Sequence, residues 1–336
     1  LKTFRTQLRA ASLHQPTTWV GSNLQGPECV VVERSGTVWT TCAGGGLSRI
    51  AAGGETTHVI ANFRDFPSES TKPFAPNGFC RTAKGDFLIA DMAGRRVIRM
   101  CEDGAVVDVI STSESGKLGQ INYVHRDHLG RFWIVEQSRL ATPDQALNPQ
   151  SQDGSILLYE TGQLPRTVAS ALMHPNQIAV STDGSTLYVP QTTARNVLRY
   201  RVSNSGILDD PVVIGPEDHG ALIDGIALDS AGNVWGTHAG TDRIFVIAAD
   251  GDTGIVFEDP ESIDGGRKLY DAFLNGSLSE DLIHNAGGTV APLTTSVAFA
   301  GPDLMTLLVG SLGGTRLPAF EVNIPGQAPA HWEDGE

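Results

Sequence analysis

PNQIAVSTDGSTLYVPQTTARNVLRYRV, residues 175–202, reads as one complete repeat unit. Asn176 opens it, and a short apolar run of Ile178, Ala179 and Val180 follows. A turn at Thr182, Asp183 and Gly184 leads to a second strand around Leu187, Tyr188 and Val189. A polar turn over 192–196 then precedes a third strand through Val197, Leu198, Tyr200 and Val202. Runs of four to six β-prone residues separated by Gly, Asp and Asn are meander signals, because those residues supply the backbone angles of tight reversals.

Five other segments superimpose on this unit. From opening residue to turn residue the pairs are Glu28 and Gly36, Asn77 and Gly85, Asn122 and Gly130, Asn176 and Gly184, Asp224 and Gly232, and Thr295 and Asp303, each eight apart. Three residues beyond the turn stand Trp39, Leu88, Trp133, Leu187, Trp235 and Thr306, and the tryptophans read as blade-core packing. Openings recur 49, 45, 54, 48 and 71 residues apart, which suits four strands per unit. The fold class expected is all-β, a six-bladed β-propeller of four-stranded antiparallel blades, one domain over residues 1–336. Its sixth unit supplies only three strands, so residues 1–27, with β-prone Thr17 to Val20, are expected to add the outer strand of the last blade and close the ring.

Two segments exceed the repeat: 140–153 (LATPDQALNPQSQD) in the third blade and roughly 258–292 before the sixth. Insertions in repeat proteins map to loops, often on the binding face. The formal net charge of −14 argues against nucleic acid or an anionic membrane as partner. No apolar run approaches the ~18 residues of a membrane span. A soluble chain, cytoplasmic or secreted, is expected, with the oligomeric state open. Cys29, Cys42, Cys80 and Cys101 lack CxxC spacing and fall in strands, where free cysteine behaves as a small apolar residue.

The opening position of every blade points to the propeller axis at one end. The ring there reads Glu28, Asn77, Asn122, Asn176, Asp224 and Thr295. Carboxylates and amide oxygens converging without histidine or thiolate make a hard, oxygen-only site. Such a site prefers Ca²⁺ or another hard divalent ion, and a shallow one leaves positions open to substrate. Among nine histidines, His284 is the candidate general base because it lies in the long insertion. Thr295 and Ser296 are candidate substrate contacts at the mouth.

GPE around Glu28, PNG at 76–78, HPNQIAVSTDGSTLYV, IDGIALDSAGNVW and TTSVAFAGPDLMTLLV together resemble the SMP-30/gluconolactonase/luciferin-regenerating-enzyme superfamily and the related diisopropylfluorophosphatase-type propellers. The resemblance implies one divalent metal at the axis, most simply Ca²⁺, with Zn²⁺, Mn²⁺ or Mg²⁺ as alternatives. Its ligands would be Glu28, Asn176 and Asp224, with Asn122 a further ligand or substrate contact. It also implies a lactonase acting on a small cyclic ester, with Asp224 and Asn122 in the chemistry and Asn77 contacting substrate. Sugar-lactone members commonly carry an arginine just before the position of Asn122; here the stretch is GQIN, and Gln120 is the candidate contact. A phosphotriesterase-like hydrolase and a non-enzymatic binding propeller with structural calcium are the alternative readings.

Overall fold

A computed structural model describes residues 13, 15–140 and 147–334. Six four-stranded antiparallel sheets follow one another along the chain. The first contains Val30–Val32, Val38–Cys42, Gly46–Ile50 and Thr56–Ile60, and the second Pro76–Arg81, Phe87–Asp91, Arg96–Met100 and Val106–Ile110. The third is built from Gln120–Arg126, Phe132–Ser138, Gly154–Tyr159 and Arg166–Leu172, and the fourth from Ala179–Val180, Thr186–Gln191, Asn196–Arg201 and Val212–Ile214. The fifth runs Ile223–Leu228, Val234–His238, Arg243–Ile247 and Thr253–Glu258. The sixth takes Thr294–Ala300, Thr306–Ser311 and Leu317–Glu321 from the end of the chain and Thr18–Val20 from the beginning, with Thr18 opposite Ala319 and Val20 opposite Leu317. This is the expected six-bladed propeller, closed by the N-terminal segment, which supplies the outermost strand of the last blade and so ties the two ends of the ring together.

The repeated turn explains the eight-residue offset. Its glycine has positive φ in five blades, from +69° at Gly184 to +86° at Gly36, a region closed to most side chains. Just before the turn in blades 1, 3 and 5 a carboxylate ties the inner strand to the tryptophan of the next strand. Trp39 Nε1 donates to Glu33 at 2.7 Å, and Trp133 and Trp235 donate to Asp127 and Asp229 at 2.9 Å each. All three indoles are at most 1% exposed, as their spacing predicts.

The core lies between blades rather than within one. Trp133, Val135, Ile156 and Leu158 of the third blade pack against Ile178, Val180, Leu187 and Val189 of the fourth. Trp133→Ala opens a cavity in that interface and removes one of the donors to the Asp127 carboxylate, which also holds Arg131 Nε at 2.7 Å. A loss of about 3–5 kcal/mol is expected. Urea unfolding measures it, and a loss below about 1 kcal/mol would refute this packing account.

At the turn end of the inner strands the C-terminal segment crosses the axis. Its groups bind blade after blade: Gln327 to Val180 and Leu228, His128 to Ala328, His331 and Trp332 to the Val32 carbonyl, and Asp334 to Arg126. It closes one end of an axial cavity of about 150 Å³ whose lining includes His125, Gln177 and Ala298. The ring of opening residues sits at the other end.

The insertions spring from the ring end. Residues 141–146 of the first lie outside the described residues. The second, expected as a loop, folds as a 3-10 turn (Pro260–Ser262), a twelve-residue helix (Ile263–Leu274) and a short helix (Glu280–His284). Leu269, Ala272 and Phe273 are buried on one face of the longer helix, and Leu269 and Phe273 pack with Leu222 and Ala286. The Asp259 carboxylate accepts from the amides of Glu261, Thr289 and Val290, and that of Asp242 from Gly288 and Thr294, fastening the segment beside the sixth inner strand. No helix among the described residues is long and apolar enough to cross a membrane. The four cysteines are unpaired, three of them buried.

Candidate active site

The inner strands do not run straight past the axis. Their ladders slip between Pro76 and Phe79, Ile121 and Tyr123, Ile223 and Ile226, and Thr294 and Val297. A bulge sets extra residues on one strand and re-aims a side chain; Asn77, Asn122, Asp224 and Thr295 lie within these four. Two of the ring residues are followed by glycine for a steric reason. A Cβ on Gly78 would fall 1.9 Å from the Tyr123 ring, and one on Gly225 would fall 2.6 Å from the Thr295 carbonyl. In sequence such Asn-Gly and Asp-Gly pairs look like turns; here they mark where the neighbouring blade passes.

Glu28 is clamped from both sides. Its amide donates to Thr41 Oγ1 at 2.8 Å, and its carbonyl accepts from Thr295 Oγ1 at 2.7 Å and Ser296 Oγ at 2.5 Å. Thr237 Oγ1 donates to the Thr295 carbonyl at 2.7 Å and accepts from Gly225 N at 3.1 Å, and Gln177 Oε1 accepts from Ile226 N at 3.0 Å. Side chains thus stitch the inner strands of blades 1, 4, 5 and 6 together at the ring.

The carboxylates converge. Asn77 hydrogen-bonds Glu28, Asn176 hydrogen-bonds Asp224, and Glu28 feels the charge of Asp224. Both acids are partly exposed, as groups facing a narrow channel are, yet protein displaces most of the water around them. Burial pushes Glu28 up to about 8, with a further rise from Asp224 against a lowering by Asn77. Burial likewise raises Asp224 to about 7, opposed by Asn176. No lysine, arginine or histidine is among the groups that set either shift, so the ionised pair is short of positive charge.

Asn122 supplies the third observation. It is 4% exposed; its Nδ2 donates to Gln137 Oε1 at 2.8 Å, while its Oδ1 is buried with no hydrogen-bond partner. A buried carbonyl oxygen without a donor costs free energy that a cation would recover. No group of three His, Cys, Asp or Glu side chains suited to a metal occurs among the described residues. Two carboxylates with amide oxygens are instead the donor set of a hard divalent ion, and Glu28, Asn122, Asn176 and Asp224 fit one.

The other expected site residues are placed differently. The hydroxyls of Thr295 and Ser296 are engaged by the Glu28 carbonyl. Gln120 Nε2 donates to the Leu140 carbonyl at 3.1 Å, at the root of the first insertion. His284 is exposed at a helix end, with its Nδ1 on the Glu280 carbonyl at 2.8 Å, and takes part in none of the ring's hydrogen bonds. Thr41, Gln137 and Thr237 escaped the sequence reading. Their one signal is a polar residue near the end of an otherwise apolar second strand.

Residues 62–262 match the sequence profile of the SMP-30/Gluconolactonase/LRE-like region, and this span holds Asn77, Asn122, Asn176 and Asp224. Pentonolactonase XacC of Haloferax volcanii is 29% identical over 165 residues, 48% of this chain and 46% of that protein, so the matched stretch spans about half the relative's length. Among solved structures, the calcium-binding protein regucalcin from Agrobacterium tumefaciens has a TM-score of 0.66 at 18% identity, over 94% of this chain and 96% of that one. A gluconolactonase from Xanthomonas campestris has a TM-score of 0.63 at 16% identity, over 93% and 100%. Virginiamycin B lyase from Staphylococcus aureus has a TM-score of 0.59 at 13% identity, over 91% and 99%. At these identities the structural likenesses establish the fold alone. The profile covers more than half of the chain, and the protein therefore belongs to the SMP-30/Gluconolactonase/LRE-like family.

Proposed function

We propose that this protein is a hydrolase that opens a lactone ring at the axial site with a divalent cation, Ca²⁺ in the simplest case, held by Glu28, Asn122, Asn176 and Asp224. The observation that carries the reading is the pair of carboxyls with raised proton affinity in the ring, together with the unpartnered Asn122 Oδ1 at the same register. The names of the pentonolactonase and gluconolactonase relatives support the substrate class, and that of the calcium-binding neighbour supports the ion.

A bound cation supplies a Lewis acid for the ester carbonyl oxygen. The chain's own residues do the rest. Glu28, its backbone fixed by Thr41, Thr295 and Ser296, presents its carboxylate beside Asn77. Asp224 serves as general base, the ring carboxylate flanked by Asn176, within reach of a water at the axis. Water adds to the carbonyl carbon as one of its protons passes to Asp224. The ring C–O bond then breaks, the departing oxygen takes that proton, and the product is a hydroxy acid. Asn176, bonded to Asp224, keeps the base oriented.

The test is proton release from a panel of γ- and δ-lactones by chelator-treated protein, before and after restoring Ca²⁺, Mn²⁺ or Zn²⁺. Hydrolysis that returns with one of the ions supports the proposal. Hydrolysis undiminished by chelation would sink the metal role. Turnover of phosphorus esters with none of any lactone would replace the substrate class.

A further inference from the structure

An asparagine side chain can face the axis with its oxygen or with its NH₂, and the two ends have nearly the same shape. Only the first can hold a cation. The hydrogen bonds around Asn122 select between them. Its Nδ2 donates to Gln137 Oε1 at 2.8 Å. Gln137 Nε2 donates in turn to Gln120 Oε1 at 3.4 Å and to Met92 Sδ at 3.5 Å. Gln120 Nε2 then donates to the Leu140 backbone carbonyl at 3.1 Å. That carbonyl can only accept, and so can the thioether of Met92. Each amide in the row is therefore oriented by the next, starting from a group that cannot reverse. All three amides are 4% exposed, so water does not compete freely for them. The one acceptor left over at the end of the row is Asn122 Oδ1, buried and without a partner.

We infer that Gln120 and Gln137 are positioning residues: a polarised row of amides anchored on Leu140 aims the oxygen of Asn122 at the axial cation. This rests on the reading of Asn122 as a ligand. It also gives the sequence GQIN a role for its glutamine that needs no contact with substrate, and it ties the root of the 140–153 insertion to the cation site.

The inference is specific to an amide at position 122, because a carboxylate has two equivalent oxygens and needs no orienting. Ca²⁺ titrated calorimetrically into the full chain should bind about 10-fold or more weakly to Gln137→Met than to the unsubstituted protein. In an Asn122→Asp background the same substitution should change affinity by no more than about twofold. Gln120→Met should repeat the pattern, which covers the case in which Gln137→Met does not fold. An equal loss in both backgrounds, or no loss in either, overturns the inference. A readout without the cation separates it from the function proposed above. The Asn122 side-chain NH₂ in ¹⁵N-labelled, calcium-free protein should exchange slowly with solvent and speed up in Gln120→Met. Absence of Ca²⁺ binding with a slowly exchanging NH₂ would overturn the metal reading and keep the row of amides. Fast exchange in the unsubstituted protein overturns the row itself.

Discussion

Asp224→Asn should abolish lactone hydrolysis and at the same time make the cation-free protein more stable at pH 8. The first effect follows from removing both the proposed base and one of two charges that hold the ion, and a fall in kcat on the order of 10³-fold or more is expected. The second follows from the sign of the pKa shifts. Asp224 is raised to about 7 and Glu28 to about 8 in the folded chain, both far above their values when unfolded. A raised acid favours the folded state fully while it is protonated, below about pH 4, and that contribution is lost as pH climbs through the folded pKa. At pH 8 the cation-free protein therefore carries two strained carboxyls, Asp224 largely ionised and Glu28 about half so. Replacing one with an amide removes its own penalty and the repulsion it imposes on Glu28, a gain of about 1–3 kcal/mol. At pH 4 the substitution should be nearly neutral. Urea unfolding of chelator-treated protein at the two pH values decides the matter. A variant less stable than its parent at pH 8, or one that still hydrolyses lactones, would contradict the assignment of Asp224. Active sites commonly hold charge in arrangements that cost stability.

The same two carboxyls make cation binding a proton-exchange reaction. Below pH 7 each ligand carboxyl must release a proton before it can hold an ion, so affinity should rise with pH and level off above about 8. The slope of log K against pH should lie between about one and two between pH 5 and 7, one unit for each proton displaced. Bound cation should accordingly raise Tm much more at pH 8 than at pH 5.5. Calorimetry in two buffers of different ionisation enthalpy counts the protons directly. Binding that releases none would mean that the ion sits away from Glu28 and Asp224.

Which parts of this protein were legible in its amino-acid order can be seen residue by residue. The turn glycines, the buried tryptophans and the closing strand at Thr18–Val20 were all readable. Each depends on a pattern confined to one repeat, or on the count of strands left over at the chain's end. The ring was readable for a related reason. A propeller copies one register position around an axis, so Glu28, Asn77, Asn122, Asn176 and Asp224 could be read as one ring from their spacing, and Glu28, Asn77, Asn176 and Asp224 do interact in pairs.

Other features depend on which surfaces meet in three dimensions. His284 looked promising because it lies in a long insertion, but it stands exposed at the end of a short helix with its Nδ1 on the Glu280 carbonyl. Thr295 and Ser296 occupy the right register, yet the close approach of blades 1 and 6 turns their hydroxyls onto the Glu28 carbonyl. The pairing of Asn77 with Glu28 and the burial that raises both carboxyls arise from residues far apart in the chain, Asp224 and Thr295 among them. The amide row from Leu140 to Asn122 crosses from one strand to another and ends on a loop, with no spacing that recurs in other blades. Periodicity announces what every blade must share to close a propeller. The chemistry lies in what single blades do differently, and a side chain's partner, its remaining water and its proton affinity exist only once distant strands have packed.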